Sequence, residues 1–194
     1  MPFLPSLPED ANLGRLYATD PAYYLPLVEF SEYVMRGASP LSPGERELIA
    51  AYTSALNACG FCAGAHAGAA KAFGIGEGVI VALVDDIDAA PVDERLKPIL
   101  RYVRKLTETP SRMVQADADA VYDAGWDEQA LTHAINVSAL FGYYNRVVDG
   151  HGLQSDPSVD EERGKVLAEM GYLGMHGPRL RKLLAEDAEP AVAD

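Results

Sequence analysis

Apolar residues recur at helical spacing along most of this chain. In residues 91–107, for example, five apolar side chains fall on one helical face: Leu96, Ile99, Leu100, Val103 and Leu106. No stretch alternates apolar and polar residues between hairpin turns, as a half-buried strand would. The pattern therefore predicts an all-α protein that folds as a compact multi-helix bundle.

Capping residues, glycines and prolines mark the ends of the predicted helices. Asp20 precedes Pro21, Ser42 opens a Ser-Pro-Gly-Glu capping box, and Asp127 precedes a long apolar run. We expect Pro26 to kink its helix or delay its start, and Pro98 to kink the helix that contains it. The predicted helices cover residues 21–36, 43–59, 59–73, 77–87, 91–107, 109–123, 128–148, 160–170 and 178–186.

The sequence predicts three segments: an N-terminal arm, a core domain and a C-terminal extension. Three prolines fall within the first eight positions, so residues 1–20 are predicted to be an extended arm. Residues 21–152 form the predicted core domain. Residues 153–194 form a predicted C-terminal helical extension with an acidic tail. At 194 residues with 48% hydrophobic residues, the chain can bury one sizeable core.

The excess of acidic residues argues against negatively charged binding partners. Sixteen basic and 29 acidic residues give a net charge of −13, which would repel nucleic acids and anionic membranes. No run approaches 18 continuous apolar residues, so no transmembrane helix is predicted. The N-terminal Met-Pro-Phe-Leu-Pro segment lacks the pattern of a secretory signal. We therefore expect a cytoplasmic protein without nucleic-acid or membrane partners.

Both cysteines of the chain lie in one short stretch, Cys59 and Cys62, and His66 follows one turn later. Gly60 favours a new helix that begins near Cys59, and the three side chains then share one helical face. At the helix start, Cys59 would meet the positive end of the helix dipole, which favours a thiolate. The stretch predicts a redox or metal site.

Several interpretations remain open from the residues alone. Cys59, Cys62, His66 and Glu47 are also a plausible zinc-binding set. A purely structural disulfide across so short a loop would add little stability. For Glu47, periodicity alone favours an exposed carboxylate on the first turn of its helix, after the capping box.

The spacing Glu47-x11-Cys59-x2-Cys62-x3-His66 resembles that of the alkylhydroperoxidase D branch of the carboxymuconolactone decarboxylase superfamily. The resemblance extends over residues 22–152, and the Tyr-Asn-Arg-Val-Val-Asp-Gly sequence at 144–150 is similar to that of the peroxidase-related subgroup. This resemblance implies that the chain folds as the alkylhydroperoxidase D-like helical bundle.

The sequence departs from the family pattern at one position. Phe61 stands where the alkylhydroperoxidase has a histidine, which is implied to take part in a proton relay.

The resemblance implies a thiol-dependent peroxidase that acts on hydrogen peroxide or alkyl hydroperoxides. It also implies that the enzyme needs a thiol or dithiol reductant, uses no metal or other cofactor, and assembles as a homo-oligomer.

The helix dipole favours Cys59 as the attacking thiol, but the nearby base favours Cys62 and the resemblance points to the second cysteine. We therefore assign Cys62 as peroxidatic, Cys59 as resolving, His66 as the base and Glu47 as the residue that orients it. The alternatives are a non-redox decarboxylase-like enzyme and a zinc-binding helical module.

The other three histidines carry no comparable pattern. His133 lies within a helix among apolar residues, and His151 follows the end of that helix. We expect His176 to lie in a glycine-rich loop near the C-terminus, where it has no evident partner. We expect all three to be structural or surface residues.

Overall fold

The computed structural model describes residues 1–154 and 156–188, and the regular secondary structure in that part of the chain is helical. Within those residues there is no strand, and no helix is long and apolar enough to cross a membrane. A single 3₁₀ turn covers Pro110–Arg112. The α-helices are α1 (Leu13–Tyr17), α2 (Pro21–Arg36), α3 (Pro43–Leu56), α4 (Gly60–Ala72), α5 (Val79–Asp85), α6 (Lys97–Glu108), α7 (Gln115–Asp123), α8 (Glu128–Gly150) and α9 (Pro157–Ala188). The all-α prediction is confirmed.

Three of the predicted helix starts have their predicted caps. The side chains of Asp20 and Asp127 accept hydrogen bonds from backbone amides three residues later, at 3.0 and 2.8 Å. Ser42 and Glu45 form the reciprocal capping box. Pro26 lies inside α2, so it does not delay the start of that helix at Pro21. Each cap satisfies amides that have no partner within the helix.

Other predicted boundaries were wrong. The helix expected from Pro91 begins at Lys97, which places Pro98 in the first turn, where its missing N–H breaks no helical hydrogen bond and gives no cause for a kink. The helix expected over residues 109–123 is divided into the 3₁₀ turn and α7. The N-terminal arm is not extended throughout, because α1 forms within it and buries Leu16 and Tyr17.

Helix α3 is the central element of the bundle. It packs against α4, α5, α6 and α8, and every residue from 46 to 54 is buried. A helix surrounded on all sides has no solvent face, so its polar side chains are buried along with the apolar ones. Buried polar groups need partners, and this requirement determines the surroundings of Glu47.

The turn from α3 to α4 fixes the position of the first cysteine. Ala58 adopts the left-handed conformation, with φ 57°, and its amide donates to Ala55 O at 3.0 Å. The amide of Cys59 donates to Ser54 O at 3.0 Å, which completes a Schellman motif. Cys59 is therefore the N-cap residue of α4, and the predicted helix start is confirmed.

The C-terminal extension packs onto α2 and α4 as two helical segments that meet at a kink, close to the predicted end of the first one at residue 170. The bend lies at Gly171, with φ 67°, and the Glu32 carboxylate accepts hydrogen bonds from the amides of Tyr172 and Leu173 at 2.7 and 3.0 Å. A Cβ atom at Gly164 would overlap the α4 backbone. This close crossing brings Tyr172 into the core. The division of the chain into three segments stays a prediction.

Candidate active site

The two sulfurs lie together at the start of α4. Both cysteines are free thiols, and their side chains are hydrogen-bonded to each other and buried. That contact lowers the pKa of Cys59, although burial opposes the change. The same contact, together with burial, raises the pKa of Cys62. The pair therefore loses its first proton more readily than an isolated buried thiol and holds the second one tightly.

His66 and Glu47 form a buried pair one turn along α4. His66 Nδ1 lies 2.7 Å from Glu47 Oε2. Burial raises the pKa of Glu47, but its contacts with His66 and Arg36 outweigh that effect and lower the pKa overall. An ionised carboxylate only accepts hydrogen bonds, so Nδ1 carries the proton and Nε2 is left as the basic nitrogen when the ring is neutral.

The interpretation of Glu47 as an exposed helix-surface carboxylate was wrong. Its side chain is 0% exposed. Its other oxygen, Oε1, accepts from Arg36 Nη2 at 2.7 Å and from the Tyr172 hydroxyl at 3.1 Å. The carboxylate thus has three partners, which offset the cost of burying its charge.

Arg36 and Tyr172 were not identified from the sequence. Arg36 is the last residue of α2, where a cation is common for helix-dipole reasons alone. Tyr172 lies 125 residues from Glu47 in the chain, between the two helices predicted for the extension. The Arg36 guanidinium lies 5.2 Å from the centre of the Tyr172 ring. No local pattern indicated either contact.

A cavity of about 200 Å³ lies against this site. Cys62 and His66 are on its wall, and Cys59 is not. Phe61, which replaces the relay histidine of the resemblance, is also on the wall, with the Arg163 guanidinium 5.0 Å from its ring centre. The remaining lining residues come from all sides of the site: Asn12, Leu13, Gly14, Tyr17, Val28, Ala65, Phe141, Tyr144, Arg163, Leu167, Tyr172, Met175 and His176. Many of the residues that line the cavity belong to α1 and α9.

The other histidines have defined surroundings. His176 is helical rather than in a loop, faces the cavity and meets Tyr17 edge-on at 5.1 Å between ring centres. Burial, with a smaller effect from Arg179, lowers the pKa of His176 to about 4, so the ring is neutral at pH 7. His133 Nδ1 pairs with Ser39 Oγ at 2.7 Å, and His151 Nδ1 donates to Val147 O at 2.6 Å.

A metal-binding arrangement is not found in the part of the chain that the structure describes. No three His, Cys, Asp or Glu side chains there are grouped as ligands for an ion. Glu47 and His66 are engaged with each other and with Arg36, and the two sulfurs with each other. This geometry does not favour the zinc-binding module.

Comparisons with known proteins give one family model and two similar structures. The model of the carboxymuconolactone decarboxylase family matches residues 21–105. A crystal structure described as an alkylhydroperoxidase AhpD core, an uncharacterized peroxidase-related protein from Ralstonia eutropha JMP134, has a TM-score of 0.70 and 22% identity over 78% of this chain and 80% of that one. An uncharacterized peroxidase-related protein from Silicibacter sp. TM1040 has a TM-score of 0.70 and 26% identity over 76% of this chain and 77% of that one. No curated protein sequence matches the chain.

The fold is thus that of the alkylhydroperoxidase D core. The model of the carboxymuconolactone decarboxylase family covers residues 21–105, which contain Glu47, both cysteines and His66, and the two similar structures are described as peroxidase-related proteins. The resemblance inferred from the sequence is confirmed. Helices α7, α8 and α9 lie outside the matched segment.

Proposed function

We propose that this protein is a thiol-dependent peroxidase that reduces hydrogen peroxide or organic hydroperoxides at Cys62. The observation that carries the proposal is the position of two buried free thiols at a helix start, one of them on the wall of a largely apolar cavity. The His66 imidazole, which is paired with the buried Glu47 carboxylate, lies on the same cavity. A peroxide, a nucleophilic sulfur and a base can therefore meet in one cavity.

The reaction needs two steps inside the protein and one outside it. The Cys62 thiolate attacks the terminal peroxide oxygen, an S–O bond forms, the O–O bond breaks, and the alcohol leaves with the proton that His66 took from the thiol. Cys59 then attacks the sulfenic sulfur, an S–S bond forms, and water leaves. A thiol or dithiol reductant returns the disulfide to two thiols. The reductant, the homo-oligomer and the cytoplasmic location stay predictions.

Two observations bear on which thiol attacks, and they point in opposite directions. The S–H···S contact lowers the pKa of Cys59, whereas only Cys62 lines the cavity. We give the greater weight to the position of Cys62 on the cavity, because the peroxide must touch the attacking sulfur. A proton shared by two sulfurs in contact can move from one to the other. Cys62 therefore remains the proposed peroxidatic thiol.

The test of the proposed function is a stoichiometric oxidation. One equivalent of peroxide added to the fully reduced protein should remove both free thiols and lower the intact mass by two hydrogens, because a Cys59–Cys62 disulfide forms. The control is the Cys59→Ser/Cys62→Ser double variant, which should keep its mass. If the parent protein retains both thiols under conditions that oxidise glutathione, the peroxidase proposal is wrong.

Tyr172→Phe is expected to lower kcat/KM about five- to tenfold, or roughly 1–1.4 kcal/mol of transition-state stabilisation. The change removes one donor from Glu47, so the pKa of that carboxyl should rise and the acidic limb of the pH–rate profile should move upward. The matched control is Tyr143→Phe, an exposed tyrosine outside the cavity lining. An unchanged rate and pH profile would reduce Tyr172 to a packing residue.

A further inference from the structure

His176 is a half-buried histidine on the wall of the active-site cavity that the thiol chemistry described above does not use. It belongs to the part of α9 that follows the kink at Gly171. Its ring meets the Tyr17 ring edge-on, and no hydrogen bond joins either ring nitrogen to another residue of the described chain. Polar groups inside a protein normally have a partner, so this imidazole is expected to meet water or a ligand in the cavity.

His176 lies one helical turn from a residue that touches the proposed base. Tyr172 is four positions earlier on α9, and its hydroxyl lies 3.4 Å from His66 Nδ1. Residues four apart share a helical face, with about 5–6 Å between their Cβ atoms. On α4, Cys62 and His66 are also four apart, and both line the same cavity. One turn of α4 thus brings the sulfur and the base to the cavity, and one turn of α9 brings a second imidazole.

The cavity is small enough for one ligand to touch both helices. Its volume is about 200 Å³, whereas pockets that hold drug-sized ligands occupy about 300–1,000 Å³. An organic hydroperoxide whose terminal oxygen contacts Cys62 therefore places its second oxygen and its organic group against the other walls. Gly14, which also lines the cavity, leaves room beside the imidazole, because a Cβ atom built there would lie 3.7 Å from His176 Nδ1.

The His176 imidazole can donate a hydrogen bond without carrying a charge. Burial is the main cause that lowers its pKa to about 4, so at pH 7 the ring has one N–H donor and one acceptor nitrogen. No Asp or Glu is among the described residues that line the cavity, so no side-chain carboxylate there competes for the N–H. A neutral imidazole can stabilise negative charge that develops on a nearby oxygen. When a thiolate attacks a hydroperoxide, that charge develops on the leaving oxygen.

We propose that His176 is a further catalytic residue of the first step: its N–H binds the oxygen of an organic hydroperoxide that becomes the alcohol, and stabilises the charge which this oxygen gains. This assignment rests on the proposed peroxidase function. The hydrogen bond matters most for hydroperoxides that release a weakly acidic alcohol, because the leaving oxygen then carries the most localised charge.

The first step stays balanced with His176 included. The Cys62 thiolate attacks the terminal oxygen, the S–O bond forms, the O–O bond breaks, and its electron pair goes to the leaving oxygen. The His176 N–H donates to that oxygen throughout and keeps its proton. The alkoxide takes the proton that His66 removed from the thiol, so one thiol and one hydroperoxide give one sulfenic acid and one alcohol.

The test compares two peroxides that differ in their leaving group. tert-Butyl hydroperoxide releases a strongly basic alkoxide, whereas peracetic acid releases acetate, which needs little stabilisation. His176→Phe keeps an aromatic ring beside Tyr17 but removes the N–H donor. The second-order rate constant for oxidation of the reduced protein, measured by rapid mixing, should fall at least tenfold with tert-butyl hydroperoxide and less than about threefold with peracetic acid.

Three further measurements separate catalysis from packing. His176→Gln retains an N–H donor and should recover most of the rate with tert-butyl hydroperoxide. Alkylation of Cys62 by iodoacetamide, which has no leaving oxygen, should proceed at the parent rate in His176→Phe. The matched control is His133→Phe, a half-buried helical histidine outside the cavity lining, which should behave as the parent does. If His176→Phe does not fold, as judged by thermal denaturation, His176→Leu replaces it.

The outcomes are distinguishable. If the parent reacts with both peroxides but His176→Phe reacts with tert-butyl hydroperoxide at the parent rate, the catalytic role of His176 is wrong and the peroxidase proposal stands. Equal slowing with both peroxides and with iodoacetamide would likewise overturn the role, because His176 would then only shape the cavity. If the reduced parent protein reacts with neither peroxide, both proposals are wrong.

Discussion

Cys62→Ser is expected to abolish peroxide consumption, whereas Cys59→Ser is expected to react once and then stop. Cys62 lines the cavity and Cys59 does not, so we expect the peroxide to meet Cys62. Without Cys59 the sulfenic acid formed at Cys62 has no neighbouring thiol to condense with, and it should accumulate. Peroxide consumption measured over many turnovers, with dimedone labelling and mass spectrometry, checks both results.

Serine is close to cysteine in size, so neither change should disturb the packing, and thermal denaturation provides the control for folding. The reverse pattern is equally clear. If Cys59→Ser were inert and Cys62→Ser carried the trapped sulfenic acid, the lower pKa of Cys59 would outweigh access, and the roles of the two thiols would be exchanged. Catalytic loss in Cys62→Ser should exceed that in any other variant proposed above.

Glu47→Ala is expected to produce the largest loss of stability, about 3–5 kcal/mol of the free energy of unfolding. The change leaves the Arg36 guanidinium largely buried without its carboxylate partner and removes the hydrogen-bond acceptor of His66. For a protein of this size, such a loss lowers Tm by roughly 10 °C. Urea and thermal denaturation at pH 7 measure the effect.

Glu47→Gln retains the shape and one oxygen acceptor, so it should lose less stability than Glu47→Ala. The matched control is Glu45→Gln, which weakens the capping box two residues earlier on α3 and should cost about 1 kcal/mol at most. Equal losses in Glu47→Ala and Glu45→Gln would contradict the buried ion pair as a major contributor to stability.

The pH dependence gives a second measurement of the same pair. The pKa of Glu47 is lowered in the folded protein, so its contribution to stability is fully present above its unfolded value, about 4.3. The contribution is lost as the pH falls through the lower folded-state value. The parent should therefore lose more stability than Glu47→Gln between about pH 5 and the acid end of the transition. Parallel curves would contradict the lowered pKa.

Short-range sequence patterns determined where the helices of the site begin and which of its residues share a helical face. Asp20, Ser42 and Asp127 mark helix starts because a side-chain oxygen three residues before a free amide is a local interaction. Gly60 and the alanines after it start α4 at Cys59, and the fixed period of a helix then places Cys62 and His66 together. These features depend on residues within one or two turns, so they could be inferred without a tertiary structure.

The tertiary structure decided which of these residues are buried and what they meet. Glu47 is buried because α3 has helices on every side, which its own periodicity does not record. Tyr172 reaches Glu47 only because α9 crosses α4 closely and bends at Gly171. Asn145 meets Ser54 and Asn57 at the end of α3 because α8 packs against α3. The sequence by itself determined the cysteine pair and its histidine, whereas the cavity and the charge balance around Glu47 arise from contacts between segments far apart in the chain. Such contacts are selected by packing of the whole bundle and leave no local periodicity to detect.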